Sequence, residues 1–153
     1  MIKPLHAGSI LFSTDSFNGS IFQDAIIFIT EFNDDGAVGF IINKPFPRKL
    51  NDLEEFKSAP PLTIYDGGPV DKEHLFFIHN KPGVIENGSF ISSNVYMGGN
   101  LRQAIDGMRQ QQITNKNIKV FIGYCGWDTG ELEAEIKEGS WKISDNIENL
   151  FLD

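Results

Sequence analysis

Apolar residues collect in short runs rich in Ile, Val and Phe at positions 9–13, 25–32, 37–43, 62–65, 75–79, 90–95 and 120–124, each bounded by Gly, Pro, Asn or Asp. Runs of this length and type predict β-strands. In Ala25-Ile26-Ile27-Phe28-Ile29 and Val38-Gly39-Phe40-Ile41-Ile42 successive positions are apolar. Strands of that kind are covered on both faces, so these two belong at the centre of a sheet. Between them, Asn33-Asp34-Asp35-Gly36 predicts a β-hairpin, because these residue types tolerate the left-handed backbone of a tight reversal. Pro45 and Pro47 are expected to end the second strand, each removing a backbone donor and restricting its predecessor.

Three helix starts are predicted where a short polar residue precedes Glu or Gln by three positions: Asn51 with Glu54, Asn100 with Gln103, and Asp128 with Glu131. The second helix places Leu101, Ile105 and Met108 on one face and is expected to reach about Gln112. The third buries Leu132 and Ile136, pairs Glu133 with Lys137, and stops at Gly139. Trp141-Lys142-Ile143 predicts a further strand, and the acidic tail after Ser144 is expected to be mobile. No fixed-period repeat, heptad pattern or interdomain linker interrupts the chain.

The length of 153 residues suits one domain with a sizeable core, and thirteen Phe against three Tyr point to a dry aromatic interior. A net charge of −8 opposes nucleic acid and anionic membrane unless a basic patch overrides it. The densest basic stretches are Arg48-Lys49 and the scattered Lys116 and Lys119, too little for a nucleic-acid footprint. The start of the chain lacks the apolar run of a secretory signal, and the single Cys125 forms no internal disulfide. Both features lead to the expectation of a cytoplasmic protein without membrane association. Asn18-Gly19-Ser20 and Asn87-Gly88-Ser89 are read as turns rather than glycosylation sites.

The candidate chemistry is sparse. Asp66-Gly67-Gly68-Pro69-Val70 lacks the pattern of a phosphate loop, and Pro69 has no N–H for an anion nest, so it reads as a structural turn that could also let a ligand approach. Gly123-Tyr124-Cys125-Gly126-Trp127 is expected to join a strand to the Asp128 helix, with Trp127 as a core anchor and Cys125 a small structural residue rather than a nucleophile. His6, His74 and His79 show no metal-ligand spacing with Cys125. His79 is expected to be a hydrogen-bonded, half-buried strand residue, and His74 a surface one. Glu131 and Glu135 share a helix face, where a solvated pair is the expectation. A Gly-x-Ser-x-Gly elbow is absent.

Gly39-Phe40-Ile41-Ile42-Asn43-Lys44-Pro45, Gly67-Gly68-Pro69-Val70, and Gly123 to Trp127 followed by Gly130-Glu131-Leu132-Glu133-Ala134-Glu135-Ile136 occur in an order and spacing that resembles the AlgH/YqgE family of bacterial proteins. The resemblance covers nearly the whole chain. It implies an α+β fold in which a bifurcated, mostly antiparallel β-sheet forms a pseudo-barrel with helices packed around it. The family is described as uncharacterised or as transcriptional regulators, and it carries over no reaction, cofactor or catalytic residue. Three positions depart from the family pattern: Cys125 stands where alanine or another small residue is common, Glu131 where glutamine is usual, and Phe32 where histidine often follows the glutamate matched by Glu31. Similar proteins also usually continue beyond the segment matching 149–153.

The leading expectation is a non-enzymatic regulatory or binding domain with a protein or small-molecule partner, since no nucleophile, base and metal set assembles in the sequence. The alternative is a small-molecule enzyme using a groove between Asn43-Lys44-Pro45, Gly67-Gly68-Pro69 and Tyr124 to Trp127. A direct DNA-binding regulator is the third reading, opposed by charge. The candidate ligand- or partner-binding residues are Asn43, Pro45, Gly67, Gly68, Pro69, Tyr124, Gly126, Trp127 and Glu131. No catalytic residue, metal or cofactor is assigned.

Overall fold

The computed structural model describes residues 4–147 and 150–151. Ten strands, β1 (Ile10–Ser13), β2 (Ile26–Asn33), β3 (Gly36–Ile41), β4 (Pro45–Lys49), β5 (Thr63–Asp66), β6 (Val70–His79), β7 (Ser89–Ser92), β8 (Val95–Met97), β9 (Ile118–Asp128) and β10 (Trp141–Ser144), form one curled sheet. Helices α1 (Leu101–Arg109) and α2 (Glu131–Lys137) complete the α+β domain. The main path runs β10-β1-β2-β3-β9-β6-β8-β7, antiparallel throughout.

The hub is β9, whose eleven residues are long enough to serve two neighbours on one edge. Cys125 to Asp128 pair with β3, Val120 to Ile122 pair in parallel with β5, and β6 occupies the opposite edge. The sheet therefore forks between β3 and β5. At the fork Gly67 donates its N–H to Ile122 O at 2.8 Å and accepts from Ile41 N at 2.9 Å. A Cβ on Gly67 would lie 2.4 Å from Gly123 O, and one on Gly68 would lie 2.3 Å from the Tyr124 carbonyl. The paired glycines thus permit a close approach of two backbones.

The sequence-predicted β2–β3 hairpin forms, with Asn33 paired to Gly36 and Asp35 N–H donating to Asn33 Oδ1 at 2.8 Å. Ile27, Phe28 and Ile29 are all buried, as both-face coverage requires. Ile27 and Ile29 join Ala37, Cys125, Trp127, Leu132 and Trp141 in a core beneath α2, while Phe28 joins Phe40, Tyr65 and Phe121 inside the curl. A third core under α1 gathers Ile64, Phe77, Ile118 and Val120.

Several expectations are corrected. The segment from Asn51 to Glu54 makes two single 3-10 turns, Leu50–Asp52 and Glu54–Phe56, because its first bond runs from Lys49 N to Asp52 Oδ2 instead. Pro45 and Pro47 follow the end of β3 but lie within β4, an edge strand whose outer side needs no donors. Residues 90–95 divide into β7 and β8 around a turn with Ser93 in the left-handed region at φ 49°. Asn100 caps α1 by accepting from Gln103 N at 3.0 Å, yet Gln103 turns away to Glu86 and the helix ends at Arg109, before Gln112. Its buried residues are Ala104, Gly107 and Met108, with Leu101 44 % exposed. Helix α2 starts after Gly130, not Asp128; Glu131 does reach back to Asp128 N at 3.2 Å. Within the described part of the tail, Leu150 is buried and Ile147 and Phe151 pack on the inner core; the rest of that expectation lies outside the described residues.

Candidate functional site

The strand pairing sends alternate residues of β2, β3 and β9 to opposite faces. On the face inside the curl, Val38 is opposite Glu31 and Gly126, and Phe40 is opposite Phe28. Gly126 has no side chain and is exposed, which leaves a hollow bordered by Val38, Tyr124 and Asp128. The hollow holds about 310 Å³, and its rim carries Glu31, Asn33, Asp35 and Asp128. It adjoins a second cavity of about 510 Å³, walled by Val38, Phe40, Phe76, Met97 and Tyr124, with Glu31, Val38 and Tyr124 common to both. Together they make one trough, apolar along most of its length and acidic at the hairpin end.

The walls are lined by packed aromatic rings. Phe40 stacks on Phe121 at 4.6 Å between centroids, and Phe76 meets Tyr124 edge to face at 5.6 Å. Across the trough from β2 lies β7, where Phe90 is 63 % exposed. Here the curled sheet remains open, since among the described residues β7 and β10 have no partner beyond β8 and β1.

Of the sequence-predicted site residues, Tyr124, Gly126 and Trp127 border this trough. Asn43 lies elsewhere, clamping β2 by accepting from Ile26 N at 3.0 Å and donating to Asp24 O at 2.9 Å. Pro45 pairs with Tyr65, and Lys44 O accepts from Asp66 N at 2.8 Å. Gly67 and Gly68 sit in the fork, with exposed Pro69 opening the turn to β6. The three segments expected to flank a groove are therefore brought together by main-chain contact, and the open concavity lies instead between β2–β3 and β6–β8–β7, with Tyr124 of β9 at its floor. The expected strand-to-helix junction is also corrected: Gly123 to Trp127 are strand residues throughout, with Gly123 at φ 75° letting β9 continue past the fork to pair with β3. Glu131 is exposed at the start of α2.

Two of the groups suited to nucleophilic or base chemistry, Cys125 and His79, are committed to the interior, whereas His6 pairs with Asp145 at 2.9 Å at a partly exposed position. Cys125 is buried with Sγ 3.4 Å from Gly67 O, and burial pushes its thiol up to about 12. His79 is fully buried and stacked on Tyr96. Its Nδ1 accepts from Lys81 N at 3.1 Å, which leaves Nε2–H to donate to Gly98 O at 3.0 Å and fixes the neutral tautomer. Burial lowers its pKa. Exposed His74 pairs with Asp71 at 2.6 Å, and this partner raises its pKa. Glu135 is not one of a solvated pair: its Oε1 accepts from both Trp127 Nε1 at 3.1 Å and Trp141 Nε1 at 2.9 Å. Among the described residues no group of three or more His, Cys, Asp or Glu is placed to hold a metal, and no helix is long and apolar enough to cross a membrane.

A profile described as AlgH-like matches residues 10–153. The chain belongs to the AlgH-like family. Relatives within it include UPF0301 proteins of Chlorobaculum parvum, 30 % identical over 150 residues covering 97 % of this chain and 80 % of the relative, and of Parabacteroides distasonis, 33 % identical over 146 residues covering 92 % and 74 %. The solution structure of AlgH from Pseudomonas aeruginosa superposes with a TM-score of 0.76 at 24 % identity, covering 99 % of this chain and 84 % of that one. A crystal structure from Corynebacterium diphtheriae gives 0.79 at 17 % identity, covering 97 % and 80 %. These two likenesses establish the AlgH-like fold. No specific molecular function accompanies the family's names. In this AlgH-like chain the motifs that carry the resemblance build the sheet fork and, through Phe40, Tyr124, Gly126 and Trp127, part of the trough, whereas Glu31, Phe76 and Phe90 join it only through tertiary placement.

Proposed function

We propose that this chain is a non-enzymatic binding domain of regulatory kind, acting in the cytoplasm, whose ligand lies in the trough inside the curled sheet. The observation that carries this reading is the trough itself: a concave, largely apolar surface with a few polar groups at one end, in the size range of about 300–1,000 Å³ typical of ligand sites. Its bank ends on an exposed phenylalanine, and exposed aromatic surface beside a cavity is characteristic of partner recognition. The commitment of Cys125 and His79 to the interior favours binding over nucleophilic or general-base catalysis. An occupied trough would also bring the open sheet nearer to the pseudo-barrel that the family resemblance implies.

Photo-cross-linking in the native host tests this. Phe90→p-benzoyl-phenylalanine is expected to yield a discrete adduct that is missing when the same group replaces Phe12 or Ile21, which are 41 % and 57 % exposed on other parts of the surface. Absence of an adduct from position 90, or equal adducts from all three positions, refutes the assignment of the trough as a binding site.

A further inference from the structure

Among the described residues β4, β10 and β7 each have an edge without a strand partner, and these edges are not alike. β4 carries Pro45, Pro47, Arg48 and Lys49, and β10 carries Lys142. Prolines and edge lysines are the devices by which natural sheets prevent another strand from adding. β7, Ser89-Phe90-Ile91-Ser92, has neither, and only its shortness and the register shift between Phe90 and Ser92 temper that edge. Among the described residues its outer edge has no main-chain partner.

The trough runs along that edge. Ser89, Phe90 and Ile91 all border the cavity, because the pairing of β7 with β8 shifts register between Phe90 and Ser92 and the alternation of faces is broken there. On the opposite bank are Thr30 and Glu31, where β2 bulges after Ile29 and has run beyond its pairing with β1. The opening closes at one end because Gly8, at φ 102°, lies against Ser92, so near that a Cβ there would be 2.3 Å from Ser92 Oγ. The other end reaches Glu31, Asp35 and Asp128. None of these three carboxylates forms an ion pair among the described residues, and no described Lys, Arg or His lines the trough.

Resting on the binding reading above, we infer that the occupant is an extended peptide segment of a partner protein that adds to β7, sets a bulky apolar side chain against Phe40, Phe76 and Tyr124, and presents Lys or Arg to Glu31, Asp35 and Asp128. Main-chain pairing supplies affinity in such strand addition, and side-chain pockets supply the selection. A second copy of this chain is disfavoured as occupant, since each copy carries a net charge of −8 and would bring acidic surface to an acidic rim.

Panning a phage-displayed library of random nonapeptides on the full chain tests the inference, followed by amide hydrogen exchange with the synthesised winner. The expected winners alternate bulky apolar with small or polar residues and carry Lys or Arg at one end. On binding, β7 amides are expected to exchange about tenfold slower or more. The double variant Glu31→Lys, Asp128→Lys is expected to bind the winner at least about tenfold more weakly at low salt, with an unchanged urea midpoint. No enrichment, winners without a basic residue, protection away from β7, or a dimer by sedimentation equilibrium with β7 protected would each overturn it. An adduct from position 90 together with any of those results rejects the peptide while leaving the binding reading intact; no adduct from that position rejects the reading itself.

Discussion

Cys125 and His79 are polar groups whose chemistry is set by what surrounds them. With its thiol pushed up to about 12 and packed against Gly67 O, Cys125 is protonated at neutral pH and shielded. A thiol reagent at pH 7.5 is therefore expected to label the native protein only at the rate of unfolding, and Cys125→Ala to keep the fold; rapid labelling of native protein would contradict this. His79 has a pKa below its ordinary 6.5, so in the interval between the two values the unfolded chain binds a proton that the folded one does not. Stability is then full above about pH 6.5 and declines as pH falls toward the folded pKa. Urea midpoints measured from pH 7.5 to 4.5 are expected to fall less steeply in His79→Gln, which holds no titrating group at that place. Exposed His74 acts in the opposite sense, its raised pKa favouring the folded state at low pH, and it is unchanged in that comparison.

At the scale of elements, α2 is tied to the sheet by a carboxylate between two indoles. Glu135 serves Trp127 and Trp141, both buried and 6.4 Å apart edge to face, so the helix, β9 and β10 share one acceptor. Its loss strands two buried N–H groups, each costing about 1–3 kcal/mol. Glu135→Ala is expected to lower stability by about 2 kcal/mol or more in urea unfolding, and Glu135→Gln, whose amide oxygen still accepts, by distinctly less. The sheet fork makes a second comparison. Gly68→Ala places a Cβ 2.3 Å from the Tyr124 carbonyl at a φ of 151° and is expected to destabilise severely. At Gly126 the added Cβ meets only Tyr124 Cε2 at 3.5 Å, so Gly126→Ala is expected to stay within about 0.5 kcal/mol of the parent by thermal or urea unfolding. Equal losses at both positions would contradict the fork as the reason for the glycine pair.

Across the whole molecule, the charge that opposes DNA on sequence grounds is reinforced by the structure, because Lys119 is buried, donating to Ile42 O and lying over the Tyr65 ring at 4.2 Å. It adds nothing to a surface patch with Lys116. A fluorescence titration with duplex DNA near physiological salt is expected to show no saturable binding, and a salt-dependent submicromolar affinity would reverse this. The β2–β3 hairpin, the doubly covered central strands, the Asn100 cap and the β10 strand were legible in the sequence, since each follows from local pattern: apolar runs, turn-forming residues, a short side chain before a helix. The true extent of β9 was not, because Gly123 and Gly126 read as a loop until β3 and the Gly67–Gly68 turn are placed beside them. Glu135 read as solvated for a similar reason, its two indole partners lying six and eight residues away on strands brought together only by the sheet. Of the trough, only Tyr124, Gly126 and Trp127 were among the candidate residues read from the sequence. An exposed Phe90 resembles any core phenylalanine in a sequence, and its neighbours Glu31, Phe40, Phe76 and Tyr124 are contributed by four other strands. Sequence alone determined most of the strand segments, the β2–β3 hairpin and much of the apolar core, through the energetics of burial and local backbone preference. Where the sheet forks, and which margin is left open, was decided by long-range packing that no local pattern encodes.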